Sequence, residues 1–321
     1  MILKPLIALS IICNLIGFNL SAANTDQKVA DSLAKESFSS AMAADNSLTL
    51  PNIFELPSVK TNAAKSNILT KQYALIDGQT GIILNSKNPE EHVPIASTTK
   101  IMSAVIALEN YRLDDIVTVP LKATQQIPTV VNLRSGEKIT VSELLHCLLI
   151  KSGNDSAYAI GTHMDKSGSN DDIKPFVDKM NQKAKELGMN NTHYQESAGL
   201  SDDAYSSAAD LGIITRYALK NPTFREIVST QNYVATNTAK TIFHQLENSN
   251  RLITTYQYPG AIGVKTGFTY AASHCLVGAA TRNGHTLIAV VLGTYADTAS
   301  ASADEARKLL DWGFSSVVWP N

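Results

Sequence analysis

Cysteine is scarce in this 321-residue chain, with three in all. Three thiols cannot build a disulfide scaffold. No Cys-x-x-Cys pair occurs. The seven histidines, at 92, 146, 163, 193, 244, 274 and 285, include no two at helical ligand spacing. A zinc site therefore has little support. Charge is also thin, at 17% of residues, with 27 Lys+Arg against 29 Asp+Glu for a net −2. That balance excludes a strongly basic nucleic-acid binder and an acidic solvating tail. No internal repeats are present. What is abundant is apolar content, 44%, in a chain long enough for about two domain-sized units.

The one long uncharged apolar stretch lies at the start. Residues 1–23 read as a secretory signal peptide. Lys4 is their only charge, 5–20 is mostly apolar, and Ser21-Ala22-Ala23 offers small residues for cleavage. The stretch is short for a spanning anchor and carries Asn14 and Asn19. Ile11 and Ile12 precede Cys13, where a lipidation site would want small residues. The mature protein is expected to be exported, periplasmic or otherwise extracytoplasmic, and soluble. Cys147 and Cys275 then meet an oxidising compartment. The sequence permits a bridge, but their apolar surroundings read as two buried small hydrophobes. Residues 24–65, rich in Ala, Ser, Asn and Lys, read as a flexible linker with one loose helix over 27–44.

Order is expected from about Tyr73. Residues 73–77 and 82–84 are strand-like and flank a Gly78–Gly81 turn, which predicts a hairpin. Pro94 precedes a helix beginning near Ser97, and 101–108 is apolar almost all round, as in a helix buried on every side. Between 115 and 250 the pattern turns helical, at 141–150, 155–163, 173–187 and 208–219. Strands return at 263–267, 275–280 and 287–292, the last two joined by Asn283-Gly284, a type I′ hairpin signal. A helix over 303–312 follows. One α+β sheet domain over 66–318 with a mostly helical insertion explains this order better than two tandem domains.

Three short motifs stand in order: Ser97-Thr98-Thr99-Lys100, Ser152-Gly153-Asn154 and Lys265-Thr266-Gly267. Each alone is weak. Serine needs a base to become nucleophilic. Spacing of three on a helix brings the Lys100 amine beside the Ser97 hydroxyl. Burial among apolar residues and other cations would lower the lysine pKa and fit it for that task. The Ser97 N–H at a helix start is half of an oxyanion hole. Ser152 and Asn154 could relay a proton and hold a substrate amide, although a helix cap explains them equally when taken alone. Gly267 allows close backbone approach, and Lys265 and Thr266 can bind a carboxylate.

This ordered set is the one known from class A β-lactamases and penicillin-binding proteins. The sequence resembles the low-molecular-mass penicillin-binding proteins, the serine D-alanyl-D-alanine carboxypeptidase family, over nearly all of 70–316. The matching stretches are Tyr73-Ala-Leu-Ile-Asp77, Pro94-Ile-Ala-Ser-Thr-Thr-Lys-Ile-Met102, Ser152-Gly-Asn-Asp155, Leu187-Gly-Met-Asn-Asn-Thr192, Gly263-Val-Lys-Thr-Gly-Phe-Thr269 and Leu309-Leu-Asp-Trp-Gly-Phe314. The resemblance implies a penicillin-binding/β-lactamase-like fold: a five-stranded antiparallel sheet flanked by helices, with the site against an inserted helical subdomain. It implies Ser97 as acylated nucleophile, Lys100 as general base and Ser152 as a further catalytic group. Asn154, Lys265, Thr266, Gly267 and Phe268 would bind substrate, the Phe268 N–H being the second oxyanion donor. For Arg251 the resemblance implies charge near a terminal carboxylate, and an ordinary surface arginine is an equal alternative. The implied partners are peptidoglycan stem peptides, with β-lactam antibiotics as covalent inhibitors.

Two departures stand out. Many relatives continue into a β-rich second domain and a C-terminal amphipathic anchor, whereas the sequence stops soon after Phe314, so neither is expected. That favours the endopeptidases of the family, while Ser152-Gly-Asn-Asp155 favours the carboxypeptidases; carboxypeptidase action is the leading expectation. The second departure is Glu196-Ser-Ala-Gly-Leu200, where many relatives carry a proline or histidine. A β-lactamase would need a second base. The Glu-x-x-Leu-Asn pattern is missing, and Glu196 has the wrong neighbours for it. A non-catalytic peptidoglycan-binding scaffold is the remaining alternative, and three intact motifs argue against it.

Overall fold

The computed structural model describes residues 56–167, 172–296 and 298–320. The expected signal peptide and residues 24–55 of the expected linker lie outside the described residues. In chain order the elements are β1 (Ser58–Val59), β2 (Thr70–Asp77), β3 (Ile83–Lys87), α1 (Lys100–Asn110), β4 (Ile116–Thr118) and β5 (Lys138–Thr140). Then come α2 (Val141–His146), α3 (Asn154–Thr162), α4 (Lys174–Glu186), α5 (Ala208–Ala218), α6 (Pro222–Ser229), β6 (Asn232–Thr236) and β7 (Phe243–Glu247). The chain closes with β8 (Ala261–Thr269), β9 (Ser273–Arg282), β10 (His285–Thr294), α7 (Ala301–Ser316) and β11 (Val317–Val318).

Five strands form one antiparallel sheet in the order β3-β2-β10-β9-β8. The middles of its central strands, 73–76, 275–280 and 287–292, are continuously apolar because both faces are covered. Along β10, Leu287, Ala289 and Val291 join one cluster, with Leu309 and Leu310 of α7. Ile288, Val290 and Leu292 join the other, with α1 and α5. Val290 pairs with Ala74 on one side and Val277 on the other, so the register keeps like faces together. The β9–β10 turn is the expected Asn283-Gly284, both at positive φ (50° and 82°).

The helices begin where capping allows. Thr140 accepts from the Glu143 N–H at α2, Ser207 from Asp210 at α5, and Asn221 from Phe224 at α6. Between β3 and β8 stand α1–α6, but also two ladders, β4–β5 and β6–β7, that the helical pattern concealed. In β7 the buried alternate positions are His244 and Leu246, so a polar residue stands where alternation would look for an apolar one. The helix expected over 141–150 is α2 followed by a wide π turn, Cys147–Lys151. That turn ends at Ser152 in the left-handed region, φ 70°.

The expected linker ends earlier than residue 65. Its backbone pairs at Ser58–Val59 with β11, the Lys60 N–H donates to Ser316 O, and the Trp312 indole donates to Ala64 O. Main-chain pairing holds this segment, and composition does not reveal it. Leu309 is fully buried beneath the sheet, on the face away from α1. Leu309→Ala is expected to cost about 2–5 kcal/mol in stability. Chemical denaturation should show that loss while kcat/KM of the folded variant stays at the wild-type value.

Candidate active site

Ala96–Thr99 form a 3-10 turn that runs into α1. The Thr98 hydroxyl donates to Ile95 O at 2.7 Å, which fixes the turn. Ser97 is partly exposed, while Lys100, one helical turn on, is fully buried. Its Nζ makes three short contacts, to Ser97 Oγ at 2.8 Å, Asn154 Oδ1 at 2.7 Å and Ala198 O at 2.6 Å. Three donors thus meet three acceptors. Burial lowers the Lys100 pKa to about 7, although the Glu196 and Asp155 carboxylates pull it upward. The apolar all-round character of α1 is what encloses the amine.

The π turn and the start of α3 supply the facing wall. Ser152 lines the same cleft as Ser97, a cavity of about 490 Å³. Asn154 has both amide ends engaged, Oδ1 on Lys100 and Nδ2 donating to Ile127 O at 2.7 Å. These contacts fix the lysine, and Asn154 still lines the cleft. Asp155, also buried, accepts from the N–H groups of Val131, Leu133 and Ser156. It ties down the loop that carries Pro128 and Thr129 along the cleft.

Strand β8 forms the third side. A Cβ on Gly267 would stand 3.0 Å from Ile95 O and 3.1 Å from the Ser97 nitrogen, so this edge reaches the nucleophile only because the residue is glycine. Lys265 is 1% exposed, which excludes an ordinary solvated strand lysine. Burial and then the Lys100 cation hold its pKa well below the usual lysine range. Thr266 Oγ1 is 2.7 Å from Ser249 Oγ in the cleft. Arg251 lines the cleft too, its Nε donating to Ala299 O. Phe268 is half exposed against His274, and Tyr270 stands almost free beside it. Six of the eight expected site residues line one cleft, and the other two, Lys100 and Lys265, are buried. Sequence reasoning missed Ser249 and the Ala198 carbonyl. A lone serine and a main-chain oxygen leave no signal in sequence.

Glu196 is spoken for, with its two oxygens accepting from the N–H groups of Ala198, Gly199 and Leu200. Cys147 and Cys275 are buried free thiols. Burial pushes Cys147 far above the usual thiol range and Cys275 up to about 11. Among the described residues no group of three or more His, Cys, Asp or Glu is placed to hold a metal ion.

A serine hydroxyl in hydrogen-bond contact with a buried lysine, in a cleft beside a strand edge, is the apparatus of a serine acyl-transfer enzyme. The profile of the D-alanyl-D-alanine carboxypeptidase family, peptidase family S11, matches residues 59–296. The D-alanyl-D-alanine carboxypeptidase of Streptomyces sp. (strain K15) is 39% identical over 258 residues, 76% of this chain and 86% of that protein. The D-alanyl-D-alanine endopeptidase of Escherichia coli (strain K12) is 30% identical over 276 residues, 84% of this chain and 85% of that protein. The crystal structure of the Streptomyces K15 DD-transpeptidase matches with a TM-score of 0.73 at 35% identity, covering 78% of this chain and 99% of that one. The chain belongs to the serine-type D-alanyl-D-alanine carboxypeptidase family, and its fold is that of the penicillin-binding DD-peptidases.

One buried ion pair holds the cleft wall from behind. His244 Nδ1 faces Val131 O at 3.0 Å and Nε2 faces Glu137 Oε1 at 2.8 Å, with side-chain exposures of 4% and 0% for the pair. Both ring nitrogens face acceptors, so the ring is an imidazolium. Its pKa is raised above the ordinary 6.5, first by the Glu137 hydrogen bond. For Glu137, burial pushes upward, but His244 and the Arg134 N–H together hold it below its usual value. The His244 contribution to stability is therefore full below pH 6.5 and lost as pH rises through the higher folded pKa. The Glu137 contribution is lost as pH falls through its lowered pKa. His244→Phe should destabilise by roughly 3 kcal/mol near neutrality. The Tm gap between wild type and variant should be widest at about pH 6 and narrow toward about pH 9. A gap independent of pH over that range would show that the pair is not ionised.

Proposed function

We propose that Ser97 is acylated by the penultimate D-alanine carbonyl of a peptidoglycan stem peptide, and that water then releases the acyl group. Neutral Lys100 takes the Ser97 proton as Oγ attacks. The N–H groups of Ser97 and Phe268 stabilise the oxyanion. The lysine ammonium gives its proton to the leaving amine, the C–N bond breaks, and terminal D-alanine departs. Water, deprotonated by the same lysine, hydrolyses the ester. Asn154 and the Ala198 carbonyl position Lys100, and Lys265 adds to the electrostatics of the pair. Ser152, which lines the same cleft, passes the proton between Lys100 and the leaving group. The observation that carries this reading is the 2.8 Å contact between Ser97 Oγ and an amine whose burial brings its pKa to about 7.

Thr266, Gly267 and Arg251 line the part of the cleft where a free terminal carboxylate would bind, which supports carboxypeptidase action. Splitting of a cross-link by the same chemistry is the second reading, favoured by the similarity to the Escherichia coli endopeptidase. A β-lactam would acylate the same serine, and the engaged carboxylate of Glu196 leaves no free base there for rapid deacylation. The apolar start over 1–23 supports export to the periplasm or an equivalent extracytoplasmic space. Among the described residues no helix is long and apolar enough to cross a membrane.

Ser97→Ala is expected to abolish peptide hydrolysis and covalent penicillin labelling together; a labelled variant would overturn the assignment. The acylation rate should rise with pH as Lys100 loses its proton, half-maximal at about pH 7. Below that it should fall about tenfold per unit. Mass spectrometry of muropeptide products separates the two readings. Loss of one alanine from a monomeric pentapeptide is the expected result. Cleavage of cross-linked dimers with the pentapeptide intact would assign an endopeptidase.

A further inference from the structure

The loop 196–200 sits directly over the nucleophile. Gly199 has φ +83°, and a Cβ there would lie 1.9 Å from Ala96 O, so the loop backbone rests on the 3-10 turn. The loop is fixed at Ser197 from two sides. Ser103 Oγ of α1 donates to Ser197 O at 2.6 Å, and Ser197 Oγ donates to Ala157 O of α3 at 2.9 Å. From there the chain turns back on itself around the Glu196 carboxylate. Oε2 accepts from Ala198 N at 2.6 Å, and Oε1 from Gly199 N at 2.5 Å and Leu200 N at 2.7 Å. The consequence is the direction of the Ala198 carbonyl, which accepts from Lys100 Nζ at 2.6 Å and from Ser97 Oγ at 3.4 Å.

We propose that Glu196 is a positioning residue for the Ser97–Lys100 pair: it folds the loop that aims the Ala198 carbonyl at the amine, and its charge supports the ammonium formed during acylation. This rests on the reading of Lys100 as general base. A carboxylate suits the task better than an amide. Three convergent N–H donors need acceptors, and a carboxylate offers lone pairs on both oxygens. An amide offers one oxygen and turns N–H donors toward the others.

Three charged groups reach Lys100 from the elements around it. Glu196 lies on the loop, Asp155 on α3 and Lys265 on β8. Asp155 is held by the N–H groups of Val131, Leu133 and Ser156. Lys265 is itself held well below the usual lysine range by burial and then by the Lys100 cation. Of the two carboxylates, Glu196 has the larger effect, and it raises the Lys100 pKa. Removing its charge should therefore shift the acidic limb of the acylation profile to lower pH, since Lys100 would stay neutral further into acid.

The test is the pH dependence of acylation by a chromogenic β-lactam for the wild type, Glu196→Gln and Glu196→Asp, each checked for folding by thermal melt. Glu196→Gln should lose about tenfold or more of the plateau rate and move the limb to lower pH by about half a unit or more. Glu196→Asp keeps the charge on a shorter stem, so it should lose plateau rate while its limb stays at the wild-type position. A Glu196→Gln limb at the wild-type pH, with only the plateau reduced, would leave the residue a purely structural part and overturn the proposal. Should Glu196→Gln fail to fold, a displaced limb in Glu196→Asp would overturn it equally. A wild-type profile without a limb near pH 7 would instead overturn the general-base reading of Lys100.

Discussion

Desolvation of one amine governs this site. Moving the Lys100 pKa from 10.5 to about 7 is a bias of roughly 5 kcal/mol against the charged form. A surface lysine three residues from a serine would remain protonated and could accept nothing. The fold must therefore bury the amine and still supply acceptors for its hydrogens. Asn154 Oδ1, Ala198 O and Ser97 Oγ meet that need. Two of the three come from other parts of the chain, so the base exists only when α1, α3 and the 196–200 loop are assembled together.

That assembly depends on the sheet. Because β2, β9 and β10 are buried on both faces, α5 packs against one face and carries α1 on it, while α7 closes the other. The nucleophile then stands at the end of a helix that cannot shift, and β8 reaches it along an edge where Gly267 leaves room. Dispersion contacts around α1 thus do electrostatic work. They exclude the water that would otherwise solvate the ammonium.

Regular periodicity made the sheet and most helices legible. Short apolar runs bounded by turn residues marked the strands, Asn283-Gly284 marked the hairpin, and the all-apolar run 101–108 marked a buried helix. The serine–lysine spacing was readable because it is local. The parts that escaped are those held by main-chain contacts between distant segments. The β1–β11 ladder is two residues long and both strands are partly exposed, so no pattern announces it. The π turn 147–151 looks like a helix in composition. The hold of Asn154 on Lys100 and Ile127 O has no local signal, because these partners lie 54 and 27 residues away. Glu196 drew notice as a misplaced candidate base, since nothing local shows that its oxygens are filled by its own loop.

The cleft walls share one construction rule. They are irregular loops, whose backbone N–H groups need acceptors, and buried carboxylates supply them. Asp155 serves Val131 and Leu133, Glu137 serves Arg134, and Glu196 serves Ala198 to Leu200. These same anchors set the field at the amine, since Asp155 and Glu196 both raise the Lys100 pKa. Rigidity and reactivity therefore draw on pH in opposite senses. Lys100 works above about pH 7, where it is neutral. The His244 imidazolium that holds the 131–137 segment is lost as pH rises through its own raised value. How far into base that anchor persists follows from how firmly Glu137 holds the His244 proton.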